Sequence, residues 1–146
     1  MPVTDDIVAT VRAYLQAEQE EFQRLNAALD RSRDASIAYK AMIVASFIVA
    51  VQRKFSSQTS RDEIIDYVAA VRARGTDLPE LLDPAASERM IASVFNEEST
   101  RDIAPRMKND IQMFFATAIV NDEGLHGQDL EDFLAKARKL ADDLIG

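Results

Sequence analysis

The chain contains no cysteine. Disulfides, thiolate nucleophiles and cysteine-bound zinc are therefore excluded, and the composition suits a reducing compartment. Histidine occurs once, at His126 in a glycine-flanked loop. A ferritin-like di-metal centre needs Glu-x-x-His on each of two helices, and a zincin needs paired histidines, so neither can be built. No motif marks a serine as the partner of His126 in a hydrolase triad. Glycine and proline number four each, too few for the frequent turns of a sandwich or barrel. No glycine-rich phosphate loop is present. The opening "MPVTDDIVAT" lacks the basic and apolar regions of a secretory leader, so a cytoplasmic location is expected.

What the chain does have is apolar content for a core. It has 146 residues, 47% of them apolar and 29% charged, which fits one domain spanning 1–146. Its net charge of -8 repels phosphate backbones and anionic lipid. Arg53, Lys54, Arg61, Arg72 and Arg74 cluster mildly, but no helix-turn-helix accompanies them. Neither a nucleic-acid nor a membrane partner is expected.

The most informative stretch is "AYKAMIVASFIVAVQRKF", Ala38 to Phe55. Between Lys40 and Gln52 there is no charge, and the only polar side chain is Ser46. The uncharged run from Ala41 to Val51 would rise about 16 Å as a helix, against about 30 Å of bilayer hydrocarbon. It exceeds the usual length of a strand, and the alanines at 38, 41, 45 and 50 favour helix. The stretch therefore predicts a buried central helix, covered by its own bundle or partly by a second subunit.

Before it, Val8, Leu15, Phe22 and Leu29 recur at seven-residue steps, with Val11 and Leu25 between. That pattern predicts one long first helix, Asp5 to about Arg31, with a heptad seam interrupted by Glu18. Thr4 is its expected N-cap, and the polar "RSRDAS" is a candidate break before the second helix. Further on, Ser60 with Glu63 fits a capping box, and Gly75 a helix stop. "TDLPELL" reads as a connector with room for one helical turn. Asp83-Pro84 reads as N-cap and first helical residue, and Asp102 as the N-cap of a fifth helix with Pro105 in its first turn. "NDEGLHG" ends that helix, and a sixth runs from about Gln128 to Ile145. The expected fold is all-α: a single-domain bundle of about six helices, with a long N-terminal helix and a buried apolar second helix.

The stretch from Ala45 to Phe95 joins "AVQRKF", "SRDEIIDYVAAVRARG" and "LDPAASERMIASVF". It resembles small all-helical proteins of unassigned function from high-GC actinobacteria, over about a third of the chain. The resemblance implies a bacterial, cytosolic protein and no particular activity.

Carboxylate pairs such as Asp62/Asp66, Glu97/Glu98 and Asp142/Asp143 read as solvated faces of an acidic chain, so no metal and no cofactor is expected. No catalytic constellation emerges. The expected function is that of a non-enzymatic helical interaction protein, a homodimer through Val8, Leu15, Glu18, Phe22, Leu25 and Leu29, with room for a further protein partner. The alternative is a small-molecule sensor whose apolar pocket is lined by Met42, Phe47, Met107, Phe114 and Phe115.

Overall fold

The computed structural model describes residues 2–146. Helix accounts for 72% of the chain, and no strand occurs among the described residues. Eight helices follow in order: α1 (Asp5–Leu15), α2 (Gln19–Ala28), α3 (Arg33–Lys54), α4 (Arg61–Arg72), α5 (Leu78–Leu81), α6 (Pro84–Ala92), α7 (Pro105–Asp122) and α8 (Gly127–Ile145).

Four of the eight starts are written locally. Thr4 Oγ1 accepts from Ile7 N, Ser32 Oγ from Ala35 N, Ser60 Oγ from Glu63 N and Asp83 Oδ2 from Ala86 N. Each satisfies an amide that the helix itself leaves unpaired. The expected cap at Asp102 does not form. Ala104 precedes α7, and the Asp102 carboxylate instead accepts two bonds from Arg89, at 2.8 and 3.1 Å. Gly75 does not terminate α4 either; that helix ends at Arg72, one residue earlier than a glycine stop at 75 requires. The glycine stop operates after α7, where Gly124 takes φ 65° and Leu125 N donates to Val120 O at 3.0 Å.

The count of eight exceeds the expected six for two reasons. "LPEL" forms the one-turn α5. More importantly, the long first helix does not exist. It breaks after Leu15, where Ala17 adopts the left-handed conformation at φ 58°. Ala17 N donates to Tyr14 O and Glu18 N to Ala13 O, both at 3.0 Å, which is the Schellman arrangement with alanine where glycine usually sits. Asn121 Nδ2 of α7 donates to the freed Leu15 carbonyl at 3.3 Å. The chain then reverses, so α1 and α2 form an antiparallel hairpin. Phe22 comes back against Tyr14, and Leu29 returns to a small cleft shared with Thr4 and Ile7.

At the centre lies α3, flanked by α7, α8 and α1, while α4 packs on α6 beside them. Ten of its 22 residues are buried, including Met42, Phe47 and Val51. By length and composition α3 could also cross a bilayer. Here it is the core helix, and most of its apolar surface is packed against its neighbours. Ser46 is buried with it, and its hydroxyl has no hydrogen-bond partner among the described residues. Side chains of α8 hold the N-terminal segment in place. Asp142 Oδ1 accepts from Val3 N at 2.8 Å, Arg138 donates to Val3 O and to Asp5, and Arg12 forms a two-pronged pair with Glu131.

Candidate functional site

The six residues of the expected seam are divided by the hairpin. Val8 and Leu15 are buried in the chain's own core, at 7% and 2% exposure. Phe22, Leu25 and Leu29 are half-buried on α2, and Glu18 is exposed at the residue before α2, its carboxylate making no capping bond. The five residues of the expected pocket do not share a cavity. Met42 and Phe115 lie in the solid core. Phe47 edges a groove along α3, Phe114 edges a different one near α2, and Met107 is half-buried on α7.

Of the longer helices, the α2 arm of the hairpin is the least buried. No residue of α2 is buried, whereas every other helix of nine or more residues has at least three that are. Its main packing partner is α1. Between α2, the end of α1 and α7 runs a groove of about 470 Å³, predominantly apolar, with Tyr14, Phe22, Phe114 and Ala13 on its walls. Tyr14 and Phe22 meet edge to face, 5.2 Å between centroids, a favoured aromatic geometry. Burial pushes the Tyr14 phenol above its ordinary value, and the nearby Asp110 carboxylate adds to the shift. The start of α2 is acidic, with Glu18, Glu20 and Glu21, while the segment beyond its end is mixed, Arg31 and Arg33 alternating with Asp30 and Asp34. Arg24 in the middle pairs with Glu21.

A second constellation gave no signal in the sequence. Asp122 at the end of α7 accepts from Tyr67 OH at 2.9 Å and from both terminal nitrogens of Arg74, at 3.1 and 2.8 Å. Lys54 stacks over the Tyr67 ring at 4.5 Å. The Arg74 guanidinium holds the Asp122 carboxyl below its ordinary value, with help from the Tyr67 hydroxyl. Burial raises the Tyr67 phenol, and its bond to Asp122 raises it further. Tyr67 and Asp122 stand 55 residues apart, so no spacing rule could have joined them. The basic cluster noted in the sequence is drawn into this and similar pairs. Arg53 faces Glu123, Arg61 bridges to Glu98, and Arg72 donates to the carbonyls of Leu82 and Pro79. These contacts join helices and loops; they bring no nucleophile against a base. Among the described residues no three His, Asp or Glu side chains gather as a metal ligand set.

Compared with known proteins, the chain matches no family model, no curated protein and no solved structure.

Proposed function

We propose that this chain is a non-enzymatic interaction protein of the cytoplasm that works as a homodimer through the α1–α2 hairpin. The observation that carries this reading is α2 itself, a ten-residue helix without one buried residue. A helix that short is marginal in water unless its apolar side chains are packed. Phe22, Leu25 and Leu29 fall at steps of three and four, which places them on one face. That face is only half covered by α1 and the groove beside it.

A second copy supplies cover of the right kind. In a two-fold antiparallel pairing of α2 with its mate, the acidic start of one helix lies over the far end of the other, where Arg31 and Arg33 alternate with Asp30 and Asp34. The Glu18–Glu21 end then meets Arg31 and Arg33 of the second copy, and the leucines and Phe22 meet between them. The net charge of -8 and the internal engagement of the basic cluster favour a protein partner over nucleic acid.

Sedimentation equilibrium at low micromolar concentration tests the proposal. A mass near twice 16.3 kDa supports it, and a mass near 16.3 kDa across the range overturns it. Leu25→Glu, on the half-open face, should return the mass to that of one chain while the helical circular dichroism is kept. Asp143→Ser, on the exposed face of α8, should leave the mass of the wild type.

A further inference from the structure

The helix α3 is covered by α1, α7 and α8, but one stripe of it stays open. Ile37, Lys40, Val44 and Ile48 recur at steps of three and four, on a single face. Ile37 is 46% exposed and the other three are exposed or half-exposed. Lys40, Val44 and Ile48 of this stripe floor a half-open groove of about 460 Å³. Its other walls are the end of α6 with the loop that follows, and the first turns of α7. The volume is that of a small-molecule site, which characteristically combines apolar walls with a few convergent polar groups.

The chemistry of the walls is specific. Val44, Ile48, Met90 and Val94 give an apolar bed. On a chain with a net charge of -8, the only ionised side chains lining the groove are Lys40 and Lys108. Neither forms an ion pair among the described residues. Two of the three carboxylates of the adjoining 93–104 loop are already engaged, and the third, Glu97, is exposed and does not line the groove. Asp102, which feels the Lys108 charge, is bridged to Arg89, and Glu98 is bridged to Arg61. Those two bridges also strap the 93–104 loop in place, so the wall it forms is set before any ligand arrives. The amide of Gln112 adds a polar group to the α7 wall.

We propose that this groove binds a small amphipathic carboxylate, its apolar body on Val44, Ile48 and Met90 and its head group at the Lys40–Lys108 rim. A neutral amphiphile would use the bed and leave the lysines idle. A cationic one would meet repulsion. A carboxylate alone would lack the apolar contact and would compete poorly with water, because lysine ammonium groups are strongly hydrated. The site is separate from the hairpin surface and does not depend on dimerisation.

Decanoate and decanol, titrated below the micelle concentration and followed by calorimetry and by amide chemical shifts, decide it. Decanoate should bind about tenfold more tightly than decanol, the scale of one charge-assisted contact. Its shifts should gather at Val44, Ile48, Val94 and Gln112. The double variant Lys40→Gln, Lys108→Gln should erase that preference and keep decanol binding. The preference of the unaltered protein should also shrink in about 1 M salt, where screening acts within about 3 Å. Equal affinity for the two probes, no decanoate binding, or shifts gathered around Tyr14 and Phe22 would each overturn the proposal.

Discussion

The ring of Phe22 meets the ring of Tyr14 edge-on, 5.2 Å between centroids, across a turn whose centre is Ala17 at φ 58°. Eight residues separate the two rings along the chain, and they touch only because that turn reverses it. An L-residue with a Cβ pays about 1–2 kcal/mol for the left-handed conformation. Glycine avoids that cost but loses about 0.5–1 kcal/mol through its freer unfolded state. Ala17→Gly should therefore stabilise the protein by about 0.5–1 kcal/mol, read as a raised denaturant midpoint at unchanged slope. Ala17→Val, β-branched at the same φ, should destabilise it. A loss of stability in the glycine variant would mean that α1 and α2 are not joined by this turn.

Phe47 lies on the central helix at 2% exposure. Phe47→Ala should cost about 3–5 kcal/mol, a large part of a domain's total stability of about 5–15 kcal/mol. Ile37→Ala, on the open stripe of the same helix, should stay within about 0.5 kcal/mol. Urea unfolding of both variants checks the contrast; equal costs would contradict the placement of α3.

Ser46, the one polar residue in the apolar middle of α3, is buried at 2% with its hydroxyl unpartnered among the described residues. A buried hydroxyl without a partner contributes a desolvation penalty and nothing in return. Ser46→Ala should leave thermal stability unchanged or raise it by up to about 1 kcal/mol. A drop in melting temperature would contradict this.

Asp142 and Asp143 are neighbours with different duties. Asp142 accepts the Val3 amide at 2.8 Å, whereas Asp143 is exposed. Asp142→Ala should cost about 1.5–3 kcal/mol, the worth of a charged hydrogen bond, and should speed amide exchange at Val3. Asp143→Ala should do neither.

All three tyrosines have phenols raised above the ordinary value of 10.0, and in each burial is the largest cause. The folded state then favours the neutral phenol. That share of stability is complete below pH 10 and is lost as pH rises through the higher folded values. Absorbance near 295 nm follows the phenolates without interference, because tryptophan is absent. Native protein should reach the midpoint of its tyrosine ionisation above pH 10, and the ionisation should coincide with loss of helical signal. Asp122 works in the opposite sense. Held below 3.8 chiefly by Arg74, it stabilises the fold above that pH, and its contribution fades as pH falls through the depressed folded value. Asp122→Asn should soften the acid limb of the stability curve.

Helix content and several helix starts were legible in the sequence, because they rest on contacts within about one turn of chain. Thr4, Ser60 and Asp83 each bond an amide three residues on, and nothing distant is needed to place them. The apolar periodicity of α3, α7 and α8 likewise predicts a core, since burial depends on which face is apolar and not on what covers it. The break at Ala17 was not legible. Alanine is the best helix former, no glycine or proline marks the spot, and the heptad spacing runs straight through it. Packing decided it: Asn121 of α7 takes the Leu15 carbonyl, Phe22 gains the Tyr14 ring, and Leu29 gains a place at the base of the bundle. Likewise, the uncharged run of α3 predicts a buried helix, and only the approach of α6, its loop and α7 determines which stripe stays open. The same holds for Tyr67, Arg74 and Asp122, which meet only when α4 is laid against the end of α7. By itself the sequence determined which residues are helical and which are apolar. Which apolar face meets which neighbour, and which stays half-covered, depended on contacts between residues far apart in the chain, and those exist only in the tertiary structure.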